Sequence, residues 1–254
     1  MADLKVDDIE LMNEDKEEDY QIEKQLRKGF IRKVYGTIFF QLLLTTAVVY
    51  YVMLNESIQK FMQENVNLCL IPFFLSIGIM LLLVCTKLAQ KVPINYILLI
   101  TFTILESIMV SYTTIYFEPL SVLACAGVTM VVVFGLTMYA CFTKRDMTMM
   151  GGFLVSLSLI LLFLGIIGIF FRSYFYQMFL DCIGVLLMSL YLIYDTQLVI
   201  GEKKNFIKMD LYILGAMMIY LDIITLFLKI LRLFGTKKGR NACRPPGSPR
   251  PLPP

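Results

Sequence analysis

Apolar runs long enough to cross a bilayer restrict this chain more than any other feature of its sequence. The hydrocarbon core is about 30 Å thick and a helix rises about 1.5 Å per residue, so one crossing takes about 20 mostly apolar residues. Such runs lie at about 34–54, 66–86, 94–117, 119–142, 147–171, 176–200 and 211–234. Charged residues are 17% of the chain, below the roughly one quarter of a soluble domain, and the mean hydropathy is +0.72. The predicted fold is all-α, a polytopic membrane helical bundle of seven transmembrane helices over residues 31–234. Residues 1–30 read as a cytosolic disordered arm, acidic and then basic, and 235–254 as a basic, proline-rich disordered tail. No length is left for a second, soluble domain.

Loop charges orient the bundle. The arm carries mainly acids from Asp3 to Asp19, then Lys24, Arg27, Lys28, Arg32 and Lys33 just before the first span. It lacks the short apolar core and cleavage site of a secretory signal, so the first span is expected to act as an uncleaved signal-anchor. With the N-terminus in the cytosol, the cytosolic loops hold Lys87, Lys91, Lys144, Arg145, Lys203, Lys204 and Lys208, and the opposite side holds Lys60 and Arg172. A full seventh span then puts Lys237, Lys238, Arg240, Arg244 and Arg250 on the non-cytosolic side, against the positive-inside rule. The alternative is a last helix that is re-entrant or incomplete. Asn55-Glu56-Ser57 is a glycosylation sequon on the non-cytosolic side, close to the membrane. Short links predict antiparallel neighbours. Gly127, Gly135, Gly151, Gly152, Gly165, Gly168, Gly184 and Gly215 predict close helix contacts. The Pro-Leu-Pro-Pro ending either docks a proline-recognition domain as polyproline II or is a plain disordered tail.

Several chemistries are excluded or disfavoured. The chain has no histidine, which removes Ser-His nucleophilic catalysis, HExxH zinc sites and histidine-held haem. Of Cys69, Cys85, Cys125, Cys141, Cys182 and Cys243, none forms a CxxC and all but Cys243 lie in or at the edges of apolar runs. They read as small buried hydrophobes. No nucleic-acid partner and no resident cofactor are expected.

Carboxylates inside the spans are the informative residues, because an ionised one at mid-bilayer costs at least about 2.5–3.5 kcal/mol. There are four: Glu106 in the third span, Asp181 and Asp195 in the sixth, and Asp222 in the seventh. Asp222 sits near the middle of its span with no basic residue within a helical turn. It must be protonated, paired from another helix, or hydrated. The sixth and seventh spans are expected to be antiparallel neighbours. Counting rise from their link puts Asp195 about 8 Å and Asp222 about 17 Å deep, an imperfect match. If the two carboxyls meet, they share a proton; deprotonated, they repel each other and attract a hard cation such as calcium. Alternatively each Asp is held neutral by a nearby Tyr or Thr. Glu106 lies on a polar stripe with Thr103, Ser107 and Thr114, bordered by Ser111, and is either a cation contact or a structural hydrogen-bonding group. Asp181 lies near the non-cytosolic end of its span, within reach of the interface.

At these residues the chain resembles the transmembrane Bax-inhibitor-motif (Lifeguard) family, and within it the Golgi anti-apoptotic branch. The resemblance rests on Tyr194-Asp195-Thr196, on Leu221-Asp222-Ile223-Ile224 with Leu226-Phe227-Leu228, on Arg32-Lys33-Val34-Tyr35-Gly36 leading into Gln41-Leu42-Leu43-Leu44-Thr45-Thr46, and on Phe134-Gly135-Leu136-Thr137. It runs from about Arg27 to Phe234. It implies a seven-helix Bax-inhibitor-like fold with a di-aspartyl pH sensor at Asp195 and Asp222, a slow pH-dependent calcium leak from intracellular stores, and suppression of cell death in Golgi or endoplasmic reticulum membranes. The acidic residue that the family carries in its third helix matches Glu106; Glu106 and Asp181 are the candidates for a cation pathway. Some bacterial relatives latch the pair with an arginine on the second helix; here Lys87 at that helix's cytosolic end is the nearest cation.

Three function classes follow. The leading one is a calcium leak channel or cation/proton exchanger with protons and calcium as ligands. The second is a non-conducting interaction protein acting on apoptosis regulators or calcium-release channels such as the inositol-trisphosphate receptor. The third, an intramembrane aspartyl protease, is disfavoured: Tyr220-Leu221 precedes Asp222 in place of Gly-x-Gly, and no Pro-Ala-Leu follows. The chain is therefore not expected to be an enzyme.

Overall fold

The computed structural model describes residues 3–170, 173–201 and 207–239. Arg172, Lys203, Lys204 and the tail from 240 on, with Cys243 and the Pro-Leu-Pro-Pro ending, lie outside them, as do the side chains of 3–16 and of Lys87. Among the described residues there are eight α-helices: α1 (Asp3–Leu54), α2 (Glu56–Glu64), α3 (Leu70–Cys85), α4 (Ile94–Thr114), α5 (Pro119–Phe142), α6 (Gly151–Phe170), α7 (Tyr174–Ile200) and α8 (Tyr212–Phe234). All but the short α2 belong to segments long and apolar enough to cross a membrane, seven in number. The polytopic helical bundle expected from the run lengths is the fold observed.

Local sequence sets the helix ends. Pro93 and Pro119 stand at the starts of α4 and α5, where a missing N–H costs nothing. The Asp146 carboxylate accepts from the Thr148 N–H at 3.0 Å and caps the turn that leads into α6. Gly201, at φ 74°, ends α7 in the left-handed conformation that glycine adopts without strain.

One expectation is corrected. The arm expected to be disordered over 1–30 is helical from Asp3 and continuous with the first span. No glycine or proline occurs between Asp3 and Lys28, and the segment is rich in Glu, Lys, Leu and Gln, all good helix formers. Helix nucleated in the membrane therefore propagates outward without a breaker.

The tail's position resolves the question of the last span. After α8, the Glu118 N–H donates to Thr236 O at 2.9 Å and the Lys238 N–H to Tyr116 O at 2.9 Å. The Lys238 ammonium donates to Gln59 Oε1 at 2.9 Å. The chain thus leaves α8 beside the α1–α2 junction and the α4–α5 link, on the face opposite the N-terminus. The seventh helix is a full crossing, and Lys237 and Lys238 do lie on the side that the loop charges disfavour.

Burial ranks the helices. In its span α8 is 61% buried and α7 50%, against 6% for α6, so α8 is the centre of the bundle and α6 an outer helix. Ile213, Met217 and Tyr220 of α8 pack with Leu83, Leu99 and Phe102 of α3 and α4. Ala216 and Ile219 pack with Val34, Ile38 and Leu192 of α1 and α7. Leu226, Ile230 and Leu231 pack with Val122 and Cys125 of α5. The glycines divide. A Cβ at Gly151, Gly168, Gly184 or Gly215 would meet a neighbouring side chain at 2.7–3.1 Å, as close packing requires, whereas Gly127, Gly135, Gly152 and Gly165 face open space.

Candidate functional site

The site begins with the approach of α7 to α8. A Cβ at Gly215 would lie 3.1 Å from Val199 Cγ2, and one at Gly184 2.9 Å from Lys229 Cε. These contacts level Val199 with Gly215 and Gly184 with Lys229. On that register Asp195 is level with Ile219, and Asp222 lies three residues, about 4.5 Å, farther along the axis. The offset closes because side chains lean toward the N-terminus of their own helix. In this antiparallel pair, Asp195 leans toward Asp222 and Asp222 leans back.

The two carboxyls meet. They lie within hydrogen-bonding reach of each other across the helix interface, and they are 3% and 8% exposed. Two carboxyls can hydrogen-bond each other only when one of them carries a proton. Asp195 Oδ1 and Asp222 Oδ2 are buried without a hydrogen-bond partner. Neither carboxyl belongs to the ion pairs found among the described residues. Lys87, the cation singled out from the sequence as a latch, has its side chain outside the described residues.

Two residues beside the pair fix its frame. Arg27, on α1 before the membrane, donates to the backbone oxygens of Leu198, Ile200 and Ile207 at 3.0, 3.0 and 2.7 Å. It caps the end of α7 and ties the α7–α8 link to α1, and a Cβ on Gly201 would collide with its guanidinium. Gln197, buried, accepts from the Met147 N–H at 2.8 Å and donates to Arg145 O at 3.1 Å, which fastens the α5–α6 link to α7. Sequence reasoning used Arg27 only as a topological charge and passed over Gln197. The available signals were an arginine among lysines ahead of the span and an amide two residues past Asp195.

The polar stripe of α4 faces the bundle interior. Thr103, Ser107, Ser111 and Thr114 are buried. Gln41 Nε2 donates to Thr103 Oγ1 at 3.0 Å, Ser107 Oγ to Thr45 Oγ1 at 3.1 Å, and the Tyr220 and Thr45 hydroxyls are 2.8 Å apart. Glu106, half-buried, lies beside Ser76 of α3, whose hydroxyl donates to Phe73 O at 3.0 Å. The Ser107–Thr45–Tyr220 contacts carry the stripe to α8, two residues from Asp222.

Asp181 lies apart from both groups. Its Oδ1 accepts from Lys229 Nζ at 2.8 Å and lies 3.7 Å from Arg232 Nη1. Lys229 was missed because the spans were searched for acids; a lysine two turns beyond Asp222 in the same apolar run was the signal. Asn55 forms the α1–α2 junction and is partly exposed.

Comparison with known proteins gives this geometry its context. Residues 27–239 match the family model Bax1-I, described as inhibitor of apoptosis-promoting Bax1. Protein lifeguard 3 of Homo sapiens is 32% identical over 220 residues, 85% of this chain and 71% of that protein. The Golgi anti-apoptotic protein of Vaccinia virus (strain Lister) is 32% identical over 208 residues, 82% of this chain and 85% of that protein. The matched region takes in Arg27, all seven spans and both members of the aspartate pair, and the chain belongs to the Bax1-I (Bax inhibitor/Lifeguard) family.

Proposed function

We propose that this protein is a calcium leak channel or cation/proton exchanger of an intracellular membrane, gated by the proton that Asp195 and Asp222 share, and that it serves calcium homeostasis and the inhibition of apoptosis. The observation that carries the reading is the buried carboxyl pair, self-bonded and with one unpartnered oxygen on each member. With a proton between them the carboxyls attract, and α7 and α8 are held together. Without it two anions stand in contact, which drives them apart. Separated carboxylates present oxygen ligands of the kind calcium prefers. The leak therefore rises as pH rises on the side from which the pair is protonated.

The reading assigns calcium to passage and not to residence. Glu106 is the proposed second cation contact, since it adjoins Ser107, whose hydrogen bonds lead through Thr45 to Tyr220 of α8. Asp181 joins the pathway only when its ion pair with Lys229 opens. Golgi or endoplasmic reticulum membrane, with the N-terminus in the cytosol, is supported by the loop charges and by the name of the viral relative. The apoptotic role is supported by the family description and that same name.

The test is calcium flux from loaded liposomes across a pH series. The expected result is a leak that grows with pH and loses its pH response in Asp195→Asn and Asp222→Asn. Unchanged flux in both variants overturns the gate. Absence of flux together with undiminished protection of cells by the double variant would favour a non-conducting partner of apoptosis regulators or calcium-release channels.

A further inference from the structure

A groove of about 470 Å³ opens between the end of α4, the start of α7 and the end of α8, on the face opposite the N-terminus. Its lining includes Tyr112, Tyr116, Tyr174, Asp181, Arg232 and Lys237. The volume is that of a small-ligand site. Its charge is unbalanced. Lys229 occupies the one carboxylate at 2.8 Å, and Arg232 is 3.7 Å from the same oxygen, with its side chain 47% exposed. Against Lys229, Arg232 and Lys237 stand Asp181 and, beside the Thr236–Lys237 segment, Glu118, an excess of one positive charge on the side of the bundle where loop charges are otherwise sparse.

That excess fits an anion. A guanidinium presents a planar fork of donors that matches phosphate oxygens, and an ammonium adds a mobile point charge. Tyrosine hydroxyls supply neutral donors beside it. The surroundings favour a lipid over a dissolved anion. The ends of α7 and α8 that flank the groove carry exposed aromatic side chains, Phe175 and Phe234 at 75% each and Tyr174 at 68%. Aromatic rings at this level collect at the boundary between headgroups and acyl chains. We propose that the groove is a headgroup site for an anionic phospholipid, its phosphate on Arg232 and Lys237 and its acyl chains along the outer face of α7.

The site is independent of the carboxyl pair, and its test reads lipid retention and not flux. Full-length protein in detergent is incubated with phosphatidylglycerol or phosphatidylcholine, and bound lipid is counted by native mass spectrometry. The expected result is a preference of about tenfold for phosphatidylglycerol, the scale of charge-assisted hydrogen bonds at a half-exposed site. Arg232→Gln should reduce it to near unity. Lys237→Gln, exposed and outside the ion pair, should reduce it severalfold and keeps the test open if the first variant fails to fold. Equal retention of the two lipids, or a preference that survives in both folded variants, overturns the proposal. Complete displacement by millimolar inorganic phosphate would assign the site to a free anion and overturn the lipid.

Discussion

The two ends of the α7–α8 pair are both closed by an aspartate, and they are closed by opposite chemistry. Toward the N-terminal face, Asp195 and Asp222 stand against each other, and in the proposed reading a proton is the link. Toward the other face, Asp181 is held by the Lys229 ammonium at 2.8 Å. A carboxylate–ammonium link joins opposite charges and needs no shared proton. One end of the interface is therefore a fixed clasp and the other a titratable one. A membrane protein can carry several buried charges for different reasons, and the partner, not the depth, tells them apart.

The contrast breaks most strongly at the fixed end. Lys229→Met leaves Asp181 facing Arg232 at longer range and should destabilise the protein by about 2–3 kcal/mol, read as a lowered midpoint of unfolding in detergent. Adding Asp181→Asn should restore most of that loss, because the cost is the unpaired charge and not the missing contact. At the titratable end, Asp222→Asn should change stability by no more than about 1 kcal/mol, since an amide still hydrogen-bonds. It should, however, remove the pH response of calcium flux, a change of about tenfold between the closed and open extremes. The frame is next. Arg27→Ala removes donors to three backbone oxygens and should speed amide exchange near 198–207, with a local loss of about 1–2 kcal/mol. The smallest effect is expected at Glu106→Gln, which should lower flux about twofold and leave its pH midpoint in place, because Glu106 shares no hydrogen bond with the carboxyl pair.

Run length alone exposed the seven crossings, because lipid admits few alternatives to an apolar helix. The cost of Asp222 pointed to a partner, and the short link between its helix and the previous one pointed to Asp195. Depth counting misjudged their separation twice: it made the Cα offset about 9 Å against about 4.5 Å in the packed register, and it ignored the opposed lean of side chains in an antiparallel pair. Lys229 and Arg232 were hidden by a search confined to acids. Arg27 was hidden for a different reason: its carbonyl partners belong to the far end of the chain, and no local pattern announces a cap supplied across more than 170 residues. The arm before Lys24 misled through composition, because charge density suggested disorder while the same residues are strong helix formers.

The stitching of the α8 exit has a mechanical consequence. Thr236 and Lys238 are sewn by backbone hydrogen bonds to Glu118 and Tyr116, which prevents α8 from sliding along its axis unless those bonds break. Motion that parts Asp195 from Asp222 must then be a sideways swing about the sewn end, as a pendulum moves about its mount. The displacement is smallest at Lys229 and grows toward the carboxyl pair, so the protonatable contact sits on the part of the helix with the longer throw.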